Sequence, residues 1–228
     1  MKQLVLDIGL VPGPTLDGFL AGPNEPALRH LQLWVAEGDG PAVHSSVPSY
    51  FWGDSGSGKT HLIESVHGAL REQGGRVGWL HPGVHEPCAF DDSWVAVLLD
   101  DVHLFNPVQQ QAAFNWFIHA QGLQRGIVAA GALPPADLKL REDLRTRLGW
   151  GHVFHLQVLT EPECRAVLRH AADERGVLLT DDVLDYMLHH FSRDLGSLME
   201  LLAQLDGYAL QTQRAITIPL IRSMLENT

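Results

Sequence analysis

GDSGSGKTH, Gly53 to His61, decides how the rest of the chain is read. The spacing Gly53-x-x-x-x-Gly58-Lys59-Thr60 is that of a phosphate-binding loop. Its glycines let backbone N–H groups turn inward around phosphate oxygens, and the helix that follows presents its positive N-terminal end. The expected nucleotide-binding residues are therefore Gly53, Asp54, Ser55, Gly56, Ser57, Gly58, Lys59, Thr60 and His61. Lys59 would reach the β/γ phosphates, and the Thr60 hydroxyl would ligate Mg2+.

Working outward, SYFW (residues 49–52) reads as a short buried strand, and residues 59–73 have helical periodicity that Gly74-Gly75 ends. Apolar runs at 76–80, 95–99, 126–131 and 152–156 read as further strands, with a helix over 107–120. Strands alternating with helical segments predict an α/β fold around a five-stranded parallel sheet. The run VAVLLDD ends a buried strand in two carboxylates: Asp100 would hold Mg2+ through water, and Asp101 would polarise an attacking water.

Upstream, residues 1–24 read as a Gly- and Pro-rich arm. A helix is expected from Asn24, with Pro26 in its first turn and Leu28, Leu31 and Val35 on one stripe, stopping in Gly38-Asp39-Gly40. From Thr160 onward strands vanish. TEPECRAVLRHAADERG is a helix capped by Thr160 and closed by Gly176; another follows Thr180, a third covers about 195–211, and a short one ends the chain. The expected domains are an arm at 1–24, an α/β nucleotide-binding domain at 25–158 and an all-helical domain at 159–228.

With 228 residues, 45% hydrophobic and 19% charged, there is ample material for a core. The 16 basic and 27 acidic residues give a formal charge of −11, so direct, specific DNA binding is not expected. Cys88 and Cys164 form no CxxC pair and suit a reducing cytoplasm. The opening MKQLVLDIGLV is interrupted by Asp7 and precedes no small-residue cleavage site, and no run is long enough to span a bilayer. The expectation is a soluble cytoplasmic protein with no membrane partner. The 13 histidines are scattered; His152 with His155, and His189 with His190, lack ligand-spaced partners, and no metal site is expected from them.

Arg147, in the run RTRLGWG, sits just before the fifth predicted strand. A sheet domain followed by a small helical lid is similar to the AAA+ architecture, where an arginine at this place projects into a neighbour's nucleotide. A planar guanidinium suits charge spreading over the transferred phosphoryl oxygens. LLDDVHLF, GALPPADLKLREDLRTRLGWGHVF and RAITIPLIRSML resemble the nucleotide-binding core of the bacterial replication initiator DnaA, and TLDGFLAGPNEPAL looks like the opening of that core. The likeness covers about residues 14–226. The initiator continues into a helix-turn-helix domain, and none is expected in this chain. Residues 82–94, with Pro82 and Pro87, leave little room for the extra helices with which the initiator grips single-stranded DNA.

A DnaA core without those parts is similar to the Hda family, regulatory inactivators of DnaA. That family carries a short N-terminal peptide that docks in the replicative sliding clamp (the polymerase beta subunit), and Gln3-Leu4-Val5-Leu6 looks like it. The resemblance implies a negative regulator of replication initiation. With the DNA-loaded clamp, it would offer Arg147 in trans to the ATP bound by DnaA. Its own cofactor would be an adenine nucleotide, ADP favoured over ATP, with Mg2+. A homo-oligomer is left open.

Two positions depart from the DnaA pattern. Ala132 stands where an aspartate usually precedes the Arg-Pro-Pro turn, and Gly196 stands where the third lid helix supplies an arginine, with Arg193 three residues earlier as a substitute. The chain's own ATP hydrolysis is therefore expected to be slow or absent. Two alternatives remain: a clamp-tethered adaptor for another client, and an AAA+ helicase loader.

Overall fold

Five strands form one all-parallel sheet: β1 (Ser49–Trp52), β2 (Arg76–Leu80), β3 (Trp94–Leu99), β4 (Gly126–Gly131) and β5 (His152–His155), in the spatial order β2-β3-β4-β1-β5. The computed structural model describes residues 13–19, 21–36, 45–191 and 195–226. The α/β expectation holds, and four of the helices connect or precede these strands: α1 (Glu25–Ala36), α2 (Lys59–Glu72), α3 (Pro107–Gly122) and α4 (Glu142–Leu148). Side chains that alternate along a strand divide between the two faces. Ala96, Leu98, Val128 and Ala130 join Leu31, Trp34, Leu62, Ile63 and Val66 of α1 and α2. Val97, Leu99, Ile127 and Ala129 instead join Trp116 and Phe117 of α3 and Leu144 and Leu148 of α4. Every residue of β4 is buried, as a central parallel strand covered on both faces requires.

Several boundaries differ from the sequence reading by a residue or two. A 3-10 turn (Gly22–Asn24) precedes α1, so the helix begins at Glu25 rather than Asn24. Strand β3 starts at Trp94, which pairs with Arg76 across a register shift before Val77 meets Ala96. Helix α3 runs on to Gly122, and β5 stops at His155. Helix α4 was not singled out as an element. It is only seven residues long and has no side-chain cap, although Glu142 and Asp143 at its start and Arg145 and Arg147 at its end match the helix dipole.

No helix or strand forms between β2 and β3. That connection is held to α3 instead: the buried Gln109 amide donates to Pro82 O (2.9 Å) and Val84 O (3.0 Å). Gln109 also closes the capping box of α3, its Oε1 accepting from Asn106 N (2.9 Å) while Asn106 Oδ1 accepts from Gln109 N (3.0 Å).

The chain divides into two compact units, one of residues up to Gly53 with Lys59–Leu156, the other of Asp54–Gly58 with Gln157 onward. The second unit is otherwise helical: α5 (Glu161–Glu174), α6 (Asp181–His190), α7 (Leu195–Thr212) and α8 (Ile218–Glu226). Its own apolar core includes Leu168, Leu184, Met187, Leu198, Leu202, Leu205, Leu220 and Ile221. Thr160 caps α5, its N–H and hydroxyl both donating to the Glu163 carboxylate at 2.6 and 2.7 Å. Arg165 and Arg169 of α5 pair with Asp185 and Asp181 of α6.

Candidate functional site

The GDSGSGKTH segment joins β1 to α2. Gly56 and Gly58 have φ values of +80° and +92°, a region open to glycine at little cost, and Ser57 N donates to Asp54 O (3.3 Å) to close the turn between them. Lys59 opens α2. It is only 8% exposed, and its Nζ donates to Gly53 O at 2.8 Å. An ammonium is rarely so buried unless paired. Here a carbonyl of the same loop holds it where the β/γ phosphates are expected.

Asp100 follows the last residue of β3, its N–H donating to Leu80 O at 2.9 Å. The residue is 4% exposed. Burial, and then the charge of Asp101, push its carboxyl up to about 6, against the Thr60 hydroxyl, the Asp101 N–H and the Lys59 ammonium. A buried carboxylate beside a hydroxyl is the hard-oxygen pair that Mg2+ takes, so Thr60 and Asp100 fit the ion expected there. Asp101 has φ 49° and ψ 44°, a left-handed backbone that aspartate and asparagine tolerate better than most residues. It is half-exposed, with Oδ1 3.9 Å from His103 Nδ1.

Three hydrogen bonds tie the end of β4 to its neighbours. Gly53 N donates to Gly131 O (3.3 Å), the Tyr50 hydroxyl donates to Leu133 O (2.7 Å), and Ala132 N donates to His103 Nδ1 (3.2 Å). Successive residues 131, 132 and 133 are thus pinned to β1 and to the segment after β3. Tyr50 is fully buried, which drives its phenol pKa upward and keeps it a neutral donor. Neither Tyr50 nor His103 stood out in the sequence, because both contacts depend on which strands are neighbours.

His61 was expected among the nucleotide ligands, and its side chain turns elsewhere. Nε2 lies 3.2 Å from Thr15 O and the ring 5.5 Å from Phe19, and burial holds the imidazole below its ordinary pKa. Gly196 is exposed in the first turn of α7; Arg193, and Gln3, Leu4, Val5 and Leu6, lie outside the described residues.

Arg147 stands in the last turn of α4. Its Nη1 donates to Asp143 O (3.0 Å), and its guanidinium lies 5.0 Å from the centre of the Phe114 ring. Arg141 covers the same ring at 4.6 Å and grips Asp143 through two bonds of 2.6 and 2.7 Å. That grip, chiefly the bond from Arg141, holds the Asp143 carboxyl below the usual carboxylate range. The sequence reading passed over Arg145, two residues away in the same RTR run. Among the described residues its side chain makes no hydrogen bond or ion pair, and it borders an open depression of about 510 Å3 with Pro134, Pro135 and Val153. Trp150 nearby in sequence is 66% exposed.

Among the described residues no group of three or more His, Cys, Asp or Glu could hold a metal ion, and no helix is long and apolar enough to cross a membrane. His152 packs against His30 at 4.7 Å, while His155 stacks on Trp52 at 3.9 Å, so the two rings serve different neighbours. Neither Cys88 nor Cys164 forms a disulfide among the described residues.

Residues 161–225 match the family described as the Hda lid domain. An uncharacterized protein of Haemophilus influenzae is 30% identical over 236 residues, covering 98% of each chain. Domain III of the Thermotoga maritima replication initiation protein DnaA is similar in fold, with a TM-score of 0.73 at 21% identity over 96% of this chain and 98% of that one. AMPPCP-bound DnaA from Aquifex aeolicus gives a TM-score of 0.64 at 19% identity, over 83% and 64% of the two chains. The chain belongs to one family with the Haemophilus influenzae protein, carries an Hda lid domain at residues 161–225, and has the fold of DnaA domain III.

Proposed function

We propose that this DnaA-related regulator of replication binds an adenine nucleotide with Mg2+ at its own phosphate loop and offers Arg147 to the ATP held by DnaA. Gln3–Leu6 would dock it on the DNA-loaded sliding clamp. In this reading Gly53–Thr60 cradle the phosphates, Thr60 and Asp100 hold the ion, and Asp101 orients water, while Ala132 supplies no polar group to a terminal phosphate. The chain's own hydrolysis is therefore slow, and the bound nucleotide, ADP by preference, sets its shape.

The observation that carries the proposal is where Arg147 rests. Its recorded contacts are Phe114 and the Asp143 carbonyl, on α3 and α4, rather than Asp100, Lys59 or Thr60 of its own site. An arginine serving its own nucleotide would approach those residues; one held by a ring face and a single carbonyl can be given to a neighbour. Removal of such an arginine costs on the order of 10³-fold in the stimulated rate.

The test is hydrolysis of DnaA-bound ATP with clamp loaded on DNA, comparing the intact chain with Arg147→Ala and Arg145→Ala. Stimulation that needs the loaded clamp and disappears only in Arg147→Ala supports the reading. The absence of bonds on Arg145 favours a second one, in which stimulation disappears in Arg145→Ala instead. If the chain binds clamp and leaves DnaA unaffected, the adaptor alternative replaces both.

A further inference from the structure

His103 stands between the ends of β3 and β4 with no part in the site as described so far. Its Nδ1 accepts the Ala132 N–H at 3.2 Å, so that nitrogen carries the lone pair and the ring proton belongs on Nε2. The Asp101 carboxylate is 3.9 Å from Nδ1, too far for a hydrogen bond to compete. Nε2 has no hydrogen-bond partner among the described residues, and the side chain is 24% exposed, so the Nε2–H is a donor open to solvent. The ring lies within reach of the charges of both Asp101 and Lys59. Its mount is rigid, because residues 131 and 133 on either side of Ala132 are bonded to Gly53 and Tyr50.

We propose that His103 is a nucleotide-sensing residue: its Nε2–H donates to the terminal phosphate of a bound nucleoside triphosphate, from beside the position where Ala132 has no polar atom. This rests on the nucleotide-site reading above. The backbone that follows β4 presents the donor indirectly, by holding the imidazole in one tautomer. A neutral donor adds no charge, so it distinguishes a triphosphate from a diphosphate modestly.

Two substitutions separate the ring's two nitrogens. His103→Asn keeps an oxygen that can accept the Ala132 N–H but has no donor at the distance of Nε2. His103→Gln reaches that distance with an amide N–H. Calorimetric titration of the full chain with Mg2+ and either AMPPCP or ADP reads the result without any turnover. The expected outcome is that Asn weakens AMPPCP roughly tenfold relative to ADP, whereas Gln keeps the wild-type ratio. An unchanged ratio in Asn, or an equal loss for both ligands, overturns the proposal. Loss of the ratio in both variants assigns the effect to ring shape and also overturns it. If the wild-type chain binds neither ligand, the nucleotide-site reading itself fails, a result distinguished by its appearance before any substitution.

Discussion

Asp100 illustrates how a site residue can work against the stability of the empty chain. Its folded pKa of about 6 lies above the ordinary 3.8, so the folded state holds a proton that the unfolded state has lost across that interval. Stability from this group is fully present at the acid end of the window and is lost as pH rises to about 6; beyond that the penalty is constant. Asp100→Asn should therefore be more stable than the parent at pH 7.5 without ligand, by at most roughly 3 kcal/mol, and by about half of that at pH 5. The same variant should gain little melting temperature from Mg2+ and nucleotide. Thermal denaturation at both pH values, with and without ligand, checks the pair of outcomes. A variant that melts lower than the parent at pH 7.5 contradicts the argument.

At the scale of elements, the β5 edge depends on one close approach. A Cβ at Gly151 would lie 2.0 Å from the Pro48 carbonyl oxygen, and His152 N donates to that same oxygen at 2.9 Å. Gly151→Ala must push β5 away from the start of β1 and should destabilise the chain by on the order of 3 kcal/mol. At Gly122 an added Cβ meets nothing within 4 Å, so Gly122→Ala should stay within about 0.5 kcal/mol. Urea unfolding of the two variants compares them directly. The strands were legible in advance because each is an apolar run bounded by turn residues, and the phosphate loop because glycine spacing is local. Helix α4 was less so, since seven residues hold barely two turns of pattern. The Tyr50–Leu133 and His103–Ala132 bonds span 83 and 29 residues, and no local pattern encodes them. Likewise, RTR names two arginines, but only the Phe114 ring and the Asp143 carbonyl separate the engaged one from the unengaged one.

Over the whole molecule, a formal charge of −11 opposes contact with a polyanion. Fluorescence anisotropy with labelled duplex or single-stranded DNA should detect no binding by the chain alone, even at low salt, where counterion release is most favourable. Tight binding that weakens steeply with added salt would reveal a basic surface that the total charge hides. The two compact units each have their own apolar core.

The left-handed backbone at Asp101 narrows what inheritance can do there. Most replacements would cost roughly 1–2 kcal/mol of backbone strain there, whereas glycine and asparagine are accommodated more readily. Both lack a carboxylate. With Asp101 as the water-orienting group proposed above, a lineage that drifts at this position tends to keep the fold while silencing any hydrolysis, and a nucleotide-dependent switch can become a permanently loaded scaffold through one substitution that no stability screen would notice.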